Sequence, residues 1–148
     1  MTTQIKRCII FLVGNIAVSA MYLAVFASRI AQNPLWNPDN PVWWARAILI
    51  YVPVQIIFRI LCMIVLAGYN AATGEPEAVD REDELDKSID LKSTSLTSGV
   101  FMVFFLAAVA TQAFALPIHW LFTILVVGMI ISGLIGDAAS LMHYRRGY

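Results

Sequence analysis

Charge is scarce in this chain. Charged side chains make up 14% of its 148 residues, against roughly 25% in a soluble domain. Ten Lys and Arg balance ten Asp and Glu, for a net charge of zero. No basic field exists to hold a nucleic acid directly. There are only two cysteines, Cys8 and Cys62, both in apolar runs, which argues against an extracellular disulfide framework. A Walker loop, a nucleophile elbow, a His-Glu-x-x-His pair and a paired-carboxylate signature are all missing. The acidic stretch lacks the residue order of a calcium loop. His119 and His143 stand about 36 Å apart on a regular helix, too far to share one haem. Neither cysteine has metal-ligand spacing to either histidine. The expectation is no catalytic residue, no metal and no cofactor.

What the chain does have is apolar length. Hydrophobic residues make up 59% and the mean hydropathy is +0.74. They fall into four blocks, about 8–28, 44–69, 98–115 and 119–142, each long enough to cross a hydrocarbon core of roughly 30 Å. The predicted fold is an all-α integral membrane domain over 1–148, a four-transmembrane-helix up-down bundle in the lipid bilayer. Lys6 and Arg7 precede the first block as they would in a leader. The block is longer than the roughly 7–15 residues of a leader's apolar core, so it is read as a retained helix. Lys6, Arg7, Arg81, Lys87, Lys92, Arg145 and Arg146 share one side of such a bundle, with only Arg29 and Arg46 opposite. The positive-inside rule then puts both termini and the central loop in the cytoplasm.

The outer loop carries Pro34, Pro38 and Pro41 together with Trp36, Trp43 and Trp44. The prolines forbid a continuous helix. The tryptophans match an interfacial aromatic belt, and a ligand-facing aromatic loop is the alternative. A very short turn around Leu116-Pro117-Ile118 makes the last two spans a hairpin. From Glu75 to Lys92 the central loop holds eight acids and three bases. Leu85, Ile89 and Leu96 suggest one helical face, and Asp83 and Lys87 form a favourable i, i+4 pair. A helix over about 76–97 is expected, running unbroken into the third span and extending that span about 20 Å into the cytoplasm.

Arg59 lies deep in the second span, where an unpaired Arg costs at least about 2.5–3.5 kcal/mol. Asn15, Gln55, Arg59 and Asp137 are expected to form one intramembrane polar cluster. It can be a helix-locking ion pair or a substrate or proton site; alternatively Arg59 snorkels to the interface without a partner. Gly128, Ser132, Gly136 and Ser140 make a small-residue ridge for close helix packing. Ala20, Ala24 and Ser28 repeat the spacing in the first span, and Ala107, Thr111 and Ala115 in the third. Such ridges serve the bundle or a homodimer.

The segment Asp83-Glu84-Leu85-Asp86-Lys87-Ser88-Ile89-Asp90-Leu91-Lys92 resembles the Asp-Glu-x-Asp-x-x-Ile-x-x-Lys signature of a family of small, functionally uncharacterised bacterial inner-membrane proteins. There the signature precedes a transmembrane hairpin that closes on a basic tail, here Tyr144, Arg145, Arg146 and Gly147. Thr94, Ser95 and Thr97 stand where that family often has a bulky polar or aromatic residue. The resemblance covers roughly 80–148. It implies an inner-membrane location and pairing with a cytoplasmic helix-turn-helix regulator. Two functions are then in view. One is a non-catalytic regulatory or docking module whose acidic helix binds a partner through Asp83, Glu84, Asp86, Asp90 and Lys92. The alternative is a small homo-oligomeric transporter or channel using Arg59 and Asp137. A lipid-modifying enzyme ranks third.

Overall fold

The computed structural model describes residues 3–33, 37–73 and 84–146. Four helices account for nearly all of them: α1 (Thr3–Gln32), α2 (Pro41–Thr73), α3 (Glu84–Ala113) and α4 (Ile118–Arg146). Each contains a segment long and apolar enough to cross a membrane, Ile5–Gln32, Pro41–Tyr69, Lys87–Ala113 and Ile118–Arg145. The first, second and fourth run at most four residues beyond the sequence-based limits, whereas the third starts eleven residues before 98 and ends two before 115: polar and basic residues continue the helical turns past the apolar blocks. Tyr144 and Arg145 accordingly form part of the last turn of α4 rather than a tail. Leu49, Ile57, Ile64 and Val65 of α2 and Met102, Val103 and Leu106 of α3 are exposed. Such apolar outer faces suit contact with lipid chains.

Helix ends have local causes. Asn40 caps α2: its Oδ1 accepts the Val42 N–H at 3.0 Å, and Pro41 follows at the first helical position. A turn over Asn37–Asn40, closed by Asn40 N–H to the Asn37 carbonyl at 3.1 Å, leads into that cap. Further along the chain, α3 stops in a Schellman motif. Leu116 N–H reaches the Thr111 carbonyl at 2.9 Å and Ala115 N–H reaches the Gln112 carbonyl at 3.1 Å, with Ala115 at φ 53°. Pro117 then prevents resumption of α3 and α4 begins. Within α2, the helix passes Pro53 without a break.

The register of each pair follows from its contacts. Tyr22 meets Tyr51 and Phe26 meets Trp44, so α1 and α2 run antiparallel. Phe104 lies against Gly128 and Thr97 against Gly136, so α3 and α4 do too. α4 is the hub, packing against each of the other three, whereas among the described residues α3 packs only against α4. The small ridge explains that contact. A Cβ at Gly128 would lie 2.5 Å from the Phe104 Cβ, and Ser132 is buried. By contrast Ala20, Ala24 and Ser28 of α1 face outward.

Two expectations need correction. Trp44 is buried rather than a surface anchor. Its indole N–H donates to the Pro38 carbonyl at 2.8 Å, and its ring packs on Phe26 and Phe122. With its one donor satisfied, the ring can be buried. Trp36 lies outside the described residues. On α3, Ile89 is buried but Leu96 is 46% exposed; they do not share an inward face. The inward row is Ile89, Ser93, Thr97, Phe104, Ala108 and Thr111, because the small ridge of α4 accepts small and hydroxyl side chains there. The helix predicted from about residue 76 is described from Glu84, and 76–83 lie outside the described residues.

Candidate functional site

One face of α1 carries Asn15 and, one turn on, Ser19. One face of α2 carries Tyr51, Gln55 and Arg59 at successive turns. α4 brings Asp137 between them. Each of these positions follows from the four-residue spacing of a helix face. Asp137 is the centre of the resulting network. Asn15 Nδ2 donates to its Oδ2 at 2.8 Å, and the Arg59 guanidinium donates to its Oδ1 at 2.9 Å. The carboxylate thus links all three helices. Gln55 Nε2 lies 3.2 Å from Asn15 Oδ1, 3.1 Å from Ser19 Oγ and 2.8 Å from the Tyr51 hydroxyl. Ser19 and Tyr51 are themselves 3.1 Å apart. Nearby, the Tyr22 hydroxyl donates to the Ala47 carbonyl at 2.7 Å.

Asn15, Gln55, Arg59 and Asp137 are therefore brought together, and Arg59 has a carboxylate partner instead of snorkelling without one. Ser19 and Tyr51 belong to the same network and were missed by sequence reasoning. Their signal was present: Asn15–Ser19 and Tyr51–Gln55–Arg59 are both i, i+4 series.

Burial is uneven across the network. Asn15, Ser19 and Tyr51 are buried. The Asp137 side chain is 11% exposed and that of Arg59 is 51% exposed. The ion pair thus closes the network on one flank and leaves half of the Arg59 side chain exposed. Asp137 lies roughly 28 Å along α4 from Ile118 and 14 Å from Arg146 at 1.5 Å per residue, so the network sits nearer the end where α1 begins and α4 finishes. A charge at that depth is tolerable when paired and hydrogen-bonded, and the Asp137 carboxylate has both oxygens engaged.

The opposite end has a smaller polar contact. His119 Nδ1, in the first turn of α4, lies 2.9 Å from Asp39 Oδ1 in the loop before α2. Together with Trp44 and Phe122 it ties the α2 and α4 starts together. His143 lies near the far end of α4, so the histidines are not neighbours. Among the described residues no group of three His, Cys, Asp or Glu side chains is placed to hold a metal ion.

On α3, Lys87, Asp90 and Lys92 are exposed and Leu91 is 70% exposed. Of the expected partner-binding residues, Asp90 and Lys92 are thus on the surface. Asp83 lies outside the described residues, and so do the side chains of Glu84 and Asp86. Ile89 and Ser93 turn toward α4, and the Thr97 hydroxyl donates to the Ser93 carbonyl at 2.9 Å while seated at Gly136. Gly136 directly precedes Asp137, so neighbouring residues of α4 receive α3 on one side and the α1–α2 network on the other. No family model, no curated protein and no solved structure matches the chain, and the site is read from its own geometry.

Proposed function

We propose that this chain is a non-catalytic, multi-pass protein of the bacterial inner membrane, with both termini cytoplasmic, that passes an intramembrane event to a soluble partner. The partner docks on the start of α3 and the acidic segment before it, through Asp83, Glu84, Asp86, Asp90 and Lys92. A basic surface, such as that of a helix-turn-helix regulator, suits this charge. One observation carries the reading: Gly136 holds Thr97 of α3, and the next residue, Asp137, holds Asn15 of α1 and Arg59 of α2. A shift in the ion pair moves α4 at the turn on which α3 rests. Because α3 is unbroken from Glu84 to Ala113, displacement at Thr97 reaches Asp90 without a hinge. The up-down arrangement across the bilayer and an extension of α3 into the cytoplasm are part of this proposal.

The test is a photocrosslinking probe at Ser88 in the native host, followed by mass spectrometry. Recovery of a soluble protein, lost when Asp83 and Asp86 are reversed to Lys, supports docking. Recovery unchanged by that reversal removes this surface from consideration.

A second reading has its own observation. Half of the Arg59 side chain is exposed at a depth where lipid offers no hydrogen-bond partner. In a homodimer this flank lines a path for an anion or a proton, as a small transporter or channel. Liposome flux that persists in the Arg59→Leu and Asp137→Asn variants would exclude it.

A further inference from the structure

A groove of about 400 Å³ opens between α1 and α4, lined by Ile5, Ile9, Leu141 and Arg145. Ile5 and Ile9 are one turn apart on α1, as are Leu141 and Arg145 on α4. One turn further along the same face of α4, Asn15 holds Asp137 at 2.8 Å. The two helices are pinned at that bond, and the groove lies between it and the helix ends. Three branched apolar side chains and one Arg side chain make its walls, Arg145 standing nearest the end of α4.

Its level in the bundle identifies the occupant. Ile9 and Leu141 lie within the apolar blocks 8–28 and 119–142, and Ile5 and Arg145 each lie three residues beyond a block's limit at this end. The Arg145 end of the groove is therefore at the height of lipid headgroups and the apolar walls at the height of the first acyl carbons. Among the described residues no carboxylate pairs with Arg145. Arg7 adds a second cation at this end, its guanidinium 5.5 Å above the Phe11 ring. An apolar slot with cations at headgroup height matches a chain below and a phosphate above. Guanidinium donors also fit phosphate oxygens in pairs.

We infer that this groove is a binding site for an anionic glycerophospholipid. One acyl chain packs on Ile5, Ile9 and Leu141, and the phosphate pairs with Arg145. The lipid then borders the turn of α4 that leads to Asp137, and its occupancy requires no partner on α3.

Native mass spectrometry and thermal melting of the full chain in neutral detergent test this. The probes are phosphatidylglycerol, phosphatidylcholine with the same acyl chains, and inorganic phosphate. Phosphatidylglycerol is expected to bind at one site, about five-fold more tightly than phosphatidylcholine, and to raise the melting midpoint. Arg145→Gln abolishes that preference, and Ile9→Trp, which fills the groove, weakens both lipids. Arg29→Gln, at the opposite end of α1, leaves the preference intact. Equal binding of the two lipids, an unchanged preference in Arg145→Gln, or equal stabilisation by inorganic phosphate would overturn the assignment. Arg145 is exposed, so its substitution leaves the fold in place even if Ile9→Trp does not.

Discussion

Thr97 of α3 rests directly on Gly136 of α4, with no room for a methyl group between them. The Thr97 hydroxyl is held by the Ser93 carbonyl, so the side chain cannot swing away without losing a bond. Gly136→Ala is therefore expected to destabilise the bundle by about 1–3 kcal/mol through overpacking. At Gly99, also on α3, a Cβ would meet nothing within 4 Å. Gly99→Ala should instead stabilise by up to about 1 kcal/mol, through helix propensity alone. Thermal melting of both variants in the same micelle separates the effects, and equal signs would refute the close contact.

Ser93 presents the opposite situation, a group whose removal should help. It is 4% exposed, and its Oγ has no hydrogen-bond partner among the described residues. A buried hydroxyl without a partner carries a desolvation cost of about 1–3 kcal/mol. Ser93→Ala removes that cost and favours the helix, so a gain of about 1 kcal/mol is expected. Ser93→Val, which adds bulk against α4, should lose stability. A loss in both variants on melting would mean that the hydroxyl has a role in the packed state.

The turn between α3 and α4 carries a local strain of its own. Ala115 occupies the left-handed position of the Schellman motif at φ 53°, where a Cβ costs roughly 1 kcal/mol. Ala115→Gly is expected to stabilise the hairpin by about 0.5–1 kcal/mol, the greater freedom of Gly in the unfolded chain offsetting part of the gain. A β-branched residue there should lose more than Ala does. Denaturant titration of the two variants checks the order Gly, Ala, Val.

Much of the architecture was legible because apolar length and turn chemistry act locally. The four blocks and the turn at Pro117 follow from composition and from backbone limits alone. Arg59 and Asp137 were legible for a different reason: each is too costly in an apolar block to stand unpaired. What escaped were relations set by the neighbouring helix. Leu96 looked inward by apolar periodicity, yet the ridge of Gly128, Ser132 and Gly136 selects Ser93 and Thr97 for the interface. Trp44 looked like a surface anchor because sequence does not reveal that the Pro38 carbonyl waits for its N–H. Ser19 and Tyr51 were passed over because a lone hydroxyl in a span is ordinary until Gln55 reaches both.

The ion pair yields the sharpest energetic test. Asp137→Leu leaves Arg59 without its carboxylate and Asn15 without its acceptor, so a loss of about 2.5–3.5 kcal/mol is expected, the cost of an Arg left unpaired within a span. Arg59→Leu removes the cation but leaves Asp137 hydrogen-bonded to Asn15, and should cost less. In the double variant both charges are gone and apolar side chains meet lipid and each other, so it should be more stable than Asp137→Leu alone. A double-mutant cycle read by melting in micelles gives the coupling directly. Additive losses would mean that the two groups do not sense each other. A double variant that recovers stability but loses partner recovery would separate the pair's role in signalling from its role in holding the helices.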